Sequence, residues 1–260
     1  MNFDSLSIVG PALLAGILVL ATHVPLGREV LGRGIIFIDL AVAQIAGLGV
    51  IAANGFGLET HGVAAQVAAF AAALAGGLLL SWTDRRFGKV QEAIIGVSFV
   101  LAATGGILLL ANDPHGGEEL RDLLVGQILF IDRHTLVPAA VLAAVVLASW
   151  RLVMRTLGRA GFYVLFAISV TASVQLVGVY LVFASLMVPA LATRSLRKHA
   201  LAAGYAVGLV GYLIGLLLSA VFDLPTGAVI VWTLTVAALA IAPLLAHWRE
   251  PAAAERSTPH

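Results

Sequence analysis

Residues 160–193 read AGFYVLFAISVTASVQLVGVYLVFASLMVPALAT, 34 positions without a single Asp, Glu, Lys or Arg. A helix crossing the ~30 Å hydrocarbon core of a bilayer needs about 20 apolar residues, so this stretch is too long for one crossing. Gln175 to Gly178 interrupts it near the middle, and the reading is two short helices meeting there. Similar apolar runs lie on both sides, over 5–27, 40–58, 60–83, 93–112, 200–222 and 224–248, and a further span fits 136–152. The expected fold is therefore all-α, a polytopic integral membrane bundle of eight or nine transmembrane helices. A transmembrane barrel is excluded, because none of these runs alternates apolar and polar positions.

Composition agrees. The chain of 260 residues is 60% hydrophobic and 11% charged, with a mean hydropathy of +1.02. Soluble domains are about 45–50% apolar and about 25% charged. Disorder requires the opposite balance. Fifteen Lys and Arg against fourteen Asp and Glu leave a net charge of +1, and the basic residues are scattered rather than laid in a stripe, which argues against nucleic acid. Cysteine is absent, so thiolate metal sites and disulfides are excluded.

Basic residues set the orientation. With the N-terminus outside, 13 of the 15 Lys and Arg fall in cytoplasmic turns or the C-terminal tail, leaving Arg121 and Arg133 outside. The outer segments then collect Asp4, Glu59, Asp113, Glu118, Glu119, Asp122, Asp132 and Asp223. The C-terminus is cytoplasmic. Residues 1–248 form one transmembrane domain, and 249–260, rich in Ala, Pro and charge, form a short disordered cytoplasmic tail. No basic n-region precedes the first span, so no cleaved signal peptide is expected.

The chemistry is sparse. There is no GxxxxGK[ST] phosphate loop, no HExxH and no GxSxG. His23, His61, His115, His134, His199 and His247 fall at expected span ends or in loops, and His260 in the tail, so paired mid-span ligands for haem are not indicated. Asp39 is the only carboxylate inside an expected span. It follows Arg33 by six residues, about 9 Å along a helix, which places it near the cytoplasmic side within reach of water. It is either an acid favoured by the positive end of its helix or a ligand on an ion path.

Three other features stay open at this level. Gly204, Gly208, Gly211 and Gly215 line one helical face, which serves either static packing or a sliding contact. His115 with Asp113, Glu118, Glu119 and Asp122 forms either a solvated acidic loop or a divalent-cation site. Arg194, Arg197 and Lys198, following Pro189, form either a topogenic basic loop or a docking segment for a cytoplasmic partner.

The order of motifs adds a further reading. RGIIFIDLAVAQ (33–44), QEAIIG (91–96), VGVYLV (177–182) with MVPALATR (187–194), and DLPTG (223–227) follow one another as similar blocks do in the permeases of the zinc/manganese ABC importer family. LLVGQIL (123–129) is a weaker fifth. The chain resembles that family over most of its length.

The resemblance implies a homodimer of permeases in the inner membrane of a bacterium, joined to two ABC ATPase subunits and served by an extracytoplasmic metal-binding protein. ATP would bind on the partner subunit, no cofactor would bind this chain, and the cargo would be a divalent metal, Zn2+ ahead of Mn2+. Pro189, Arg194, Arg197 and Lys198 would form the coupling segment. The metal path would involve Asp39, with Gln44 and His23 as further candidates.

Two departures from the family stand out. The family pairs Asp with a His four residues later, about 40° apart on one helical face. Here Ala43 occupies that place, and Gln44 lies about 140° round the helix from Asp39. The cytoplasmic stretch over 150–162 is also shorter than usual. Beside the importer reading stand a stand-alone secondary transporter or channel, and a non-transporting membrane scaffold.

Overall fold

The computed structural model describes residues 3–57, 62–126, 128–131, 133–196 and 198–246. Among them the regular structure is all helical: α1 (Phe3–Arg33), α2 (Ile38–Gly55), α3 (Val63–Phe87), α4 (Gln91–Leu110), α5 (Gly116–Val125), α6 (Arg133–Leu157), α7 (Arg159–Val177), α8 (Val179–Ala192), α9 (Ala200–Phe222) and α10 (Thr226–Ala246). Seven helical runs are long and apolar enough to cross a bilayer. One of them, Val63–Leu110, is 48 residues long and is divided into α3 and α4 by a 3-10 turn at Gly88–Val90, so it supplies two crossings. With the 14 residues of α8, about 21 Å of rise, the bundle agrees with eight or nine spans.

The 34-residue run breaks where the sequence suggested. α7 ends at Val177, Gly178 takes φ 80° and ψ 162°, and α8 starts at Val179. That region of backbone space is open essentially to glycine alone. The two short helices form the middle of the molecule. Phe162, Phe166, Leu181, Val182 and Leu186 are fully enclosed there, packed with Ala41, Val42 and Ala46 of α2. Outside this core, α4 exposes Val97, Leu101 and Leu108, α6 exposes Val137, Val141 and Val145, and α10 exposes Trp232, Val236 and Leu239. Apolar surface of this extent is stable against lipid and not against water.

Turns at the two ends carry different charge. At one end Arg33 lies 4.3 Å from the centroid of the Phe162 ring, Arg159 pairs with Asp84 at 3.6 Å, and Arg28 reaches the Thr193 carbonyl at 3.5 Å. These contacts gather the C-terminal end of α1, the α3–α4 turn, the start of α7 and the end of α8. At the other end Asn54 donates to Glu119 at 3.0 Å, and the Gly126 backbone lies against Val177 and Gly178. The segregation read from the sequence is thus a property of the fold.

Three expectations are corrected. α1 does not stop near residue 27 but runs to Arg33 through Pro25, with Glu29 and Arg33 paired at 3.2 Å on its last turns. Charge ends an apolar span without ending a helix, and His23 is consequently interior to α1 rather than at its end. The acidic loop over 112–122 is largely helix α5. Glu118 and Glu119 occupy its first turn, where the helix dipole favours them. His115 and Glu118, 3.7 Å apart, are both highly exposed. The short stretch after Trp150 contains no loop: α6 and α7 are separated by Gly158 alone, at φ 55°. The tail over 249–260 and Arg197 lie outside the described residues, as do His61 and His247.

Candidate functional site

Gly34, at φ 71°, turns the chain from α1 toward α2. Ile35 and Ile38 are buried behind the turn, and α2 starts with Phe37 as its N-cap residue and Asp39 in its first turn. Asp39 is 0% exposed, and neither carboxylate oxygen has a hydrogen-bond partner. It is not exposed to water, contrary to the sequence expectation. Nor does it cap its own helix. Burying a carboxylate without compensation costs several kcal/mol, so a group in this state either holds a proton or takes a cation as its partner.

The rest of α2 shows which way Asp39 faces. Gly49 packs on Ala68 and Ala72 of α3, while Leu48 and Ile51 pack on Gly105 and Gly106 of α4. Asp39 shares neither face. At 3.6 residues per turn it lies within about 40° of Ala43, Ala46 and Val50, an apolar stripe on the side left to α7 and α8, both of which contact α2. Gln44 is on another side, partly exposed in a narrow crevice of about 10 Å³ with Leu120 and Leu123 of α5 and Val179 of α8. Asp39 and Gln44 therefore do not share a face.

His23 is also 0% exposed. Its Nδ1 lies 3.0 Å from the Val19 carbonyl and 2.9 Å from the Thr22 hydroxyl, and that hydroxyl itself donates to Val19. In the tautomer that donates from Nδ1 to the Val19 carbonyl, Nε2 keeps its lone pair. Nε2 is buried with no partner. Gly27, one turn on, rests against the Leu186 carbonyl of α8, so this face of α1 also looks toward α8. Among the described residues no three His, Cys, Asp or Glu side chains form a metal cage.

The α8–α9 connection is built from Pro189 onward. The Thr193 hydroxyl donates to the Pro189 carbonyl at 2.8 Å, and Thr193 is fully buried. Arg194 and Lys198 are exposed, and His199 turns the chain into α9 with φ 58°. The glycine stripe of α9 divides between two neighbours. A Cβ on Gly204 or Gly208 would collide with Val24 or Leu20 of α1, and one on Gly211 or Gly215 with Leu234 or Ile230 of α10.

Two further contacts were not singled out from sequence. Gln91 Nε2 donates to the Leu80 carbonyl at 2.9 Å, and Gln91 Oε1 accepts from Thr83 at 3.0 Å, which ties the start of α4 to α3. Glu92 Oε1 accepts the Phe37 backbone N–H at 3.1 Å, two residues before Asp39. The signal for Glu92 was present: it is the one acid opening an otherwise uncharged helix.

A bundle with paired basic turns, a broken central helix and a buried unpaired acid can be compared with known proteins. A family model described as the ABC 3 transport family matches residues 5–162 and 156–244. The chain belongs to that family. It is a membrane-spanning permease subunit of the metal ABC transporter type. The solved structure of PsaBC from Streptococcus pneumoniae in complex with Fab is 20% identical, covering 91% of this chain and 92% of its own, with a TM-score of 0.72. That likeness establishes a shared fold. A structure described as an inward-facing metal-chelate type ABC transporter is 16% identical over 93% of this chain and 79% of its own, at a TM-score of 0.48, too loose to carry weight here. The permease is thus a multi-pass transport component within an ABC assembly.

Proposed function

We propose that this permease forms the membrane path of an ATP-driven importer for a divalent metal, Zn2+ ahead of Mn2+, and that Asp39 lies on the path. The carrying observation is Asp39 itself, enclosed by the bundle with both oxygens unpartnered. His23 is the second station. Its Nε2 is buried without a partner, and with Nδ1 protonated toward Val19 it is the kind of donor that Zn2+ favours over harder cations. Gln44 is a weaker ligand, turned to another side of α2. The two stations lie on α1 and α2, helices that both pack against α8, so they suit successive positions better than one coordination shell.

In this reading the basic end is cytoplasmic, with the N-terminus outside and the C-terminus inside a bacterial inner membrane. Two copies pair, an extracytoplasmic protein delivers the metal, and an ATPase pair binds around Pro189, Arg194, Arg197 and Lys198. Nucleotide binding rocks the two copies between outward and inward access. The permease binds no cofactor; the metal is its cargo. The test is uptake of radioactive Zn2+ into vesicles holding the permease with its ATPase. ATP-dependent uptake is expected, reduced at least tenfold by Asp39→Ala. Transport by the permease alone without ATP, or uptake unchanged by Asp39→Ala, defeats the reading.

A further inference from the structure

We propose that Glu92 is a positioning residue for Asp39, acting as the N-terminal cap of α2 although it is carried on α4. The inference rests on the reading that Asp39 lies on the metal path.

In a capping box, a Glu or Gln three residues into a helix reaches back to the N–H of the N-cap residue. In α2 the N-cap residue is Phe37, which offers no side-chain acceptor, and the position three residues on is Leu40. The carboxylate of Asp39, in the first turn, accepts no hydrogen bond. The acceptor that the helix lacks comes from 55 positions away, where Glu92 Oε1 takes the Phe37 N–H at 3.1 Å. The other oxygen, Oε2, is enclosed and unpartnered, so this single bond is the side chain's only described anchor. Its charge sits at the positive end of α2, where it is favoured.

The arrangement ties the first turn of α2 to the start of α4. α4 begins directly after the exposed turn Gly88–Val90, which carries Lys89 and follows Arg85 and Arg86 in the last turn of α3, at the basic end of the bundle. Displacement of that turn draws Glu92 away from Phe37 and releases the first turn of α2, and with it the carboxylate of Asp39. The fold thus links a surface turn to a buried acid through one hydrogen bond.

The test uses the permease assembled with its ATPase, with two variants. Glu92→Gln keeps the acceptor and removes the charge. Glu92→Leu keeps bulk and helix propensity and removes the acceptor. Expected for Glu92→Gln is amide exchange over residues 37–40 and half-saturating Zn2+ within about twofold of wild type. Expected for Glu92→Leu is exchange about tenfold faster and half-saturation raised about fivefold, with maximal uptake within about twofold. Equal defects in both variants overturn the proposal, because charge and not the acceptor would then matter. Wild-type exchange in Glu92→Leu also overturns it, as does faster exchange with unchanged half-saturation. If Glu92→Leu does not assemble, Glu92→Asp, one methylene too short to reach, is read in the same way. Asp39→Ala run alongside separates the two ideas. Undiminished uptake there removes Asp39 from the path, while the exchange measurement still decides whether Glu92 caps α2.

Discussion

Gly126 and Gly178 meet backbone to backbone. Gly126 follows α5 and Gly178 divides α7 from α8, and a Cβ on Gly178 would lie 2.6 Å from the Val125 carbonyl carbon. Gly227, near the start of α10, approaches the same residue, since a Cβ there would lie 2.7 Å from the Val125 oxygen. Three segments far apart in sequence therefore close on one point. Each belongs to one of the blocks by which the chain resembles its family.

This contact predicts a steep stability penalty. Gly178 and Gly126 have φ of 80° and 68° with ψ of 162° and 172°, a conformation that costs other residues roughly 1–3 kcal/mol before any collision is counted. Gly178→Ala and Gly126→Ala are each expected to lower the thermal midpoint of the detergent-solubilised permease sharply. A midpoint unchanged in either variant would show that the backbones can separate freely.

Asp39 is expected to behave in the opposite way. Removing an enclosed, unpartnered carboxylate relieves the cost of its burial. Asp39→Ala should therefore be at least as stable as wild type while losing most uptake, and Gln44→Ala should lose less. Thermal unfolding and Zn2+ uptake measured on the same preparations check this. A variant that is both unstable and inactive would mark Asp39 as structural.

His23 should discriminate between metals. Because His23 Nε2 is buried without a partner, His23→Ala is expected to reduce Zn2+ uptake by a larger factor than Mn2+ uptake, since imidazole contributes more to the softer ion. Competition between the two metals in one vesicle assay gives the ratio directly. Equal loss of both would leave His23 as a packing residue.

The glycine stripe of α9 offers a test of packing by rescue. The three atoms nearest a Cβ on Gly208 all belong to the flexible Leu20 side chain, at 2.5–3.3 Å, whereas one on Gly211 would lie 2.7 Å from the Leu234 Cα. Leu20→Ala should therefore restore much of the stability lost in Gly208→Ala. Leu234→Ala should not restore Gly211→Ala, because backbone remains in the way. Thermal midpoints of the four variants and the two doubles decide it.

Arg194 is exposed beside the buried Thr193. Arg194→Glu is expected to cut recovery of the ATPase in co-purification several-fold with the permease's own thermal midpoint unchanged, as for a reversed charge at a contact surface. Full recovery of the complex would move the coupling segment elsewhere.

Residues 160–193 and their neighbouring apolar runs determined that the chain is an α-helical membrane protein, because hydrocarbon leaves the backbone few alternatives to forming its hydrogen bonds within a helix. The break at Gly178 was equally legible, since 34 uncharged residues exceed one crossing and glycine is the residue able to turn there. The distribution of Lys and Arg gave the two ends of the bundle. Tertiary structure alone decided the state of Asp39. Its distance from Arg33 along the chain suggested water, but burial is set by the packing of α2 against α3, α4, α7 and α8, which the local sequence does not show. The same holds for Glu92 at Phe37 and for the junction of Gly126, Gly178 and Gly227. Helical periodicity fixes which residues share a face of one helix; which face meets which neighbour is set by packing among all of them.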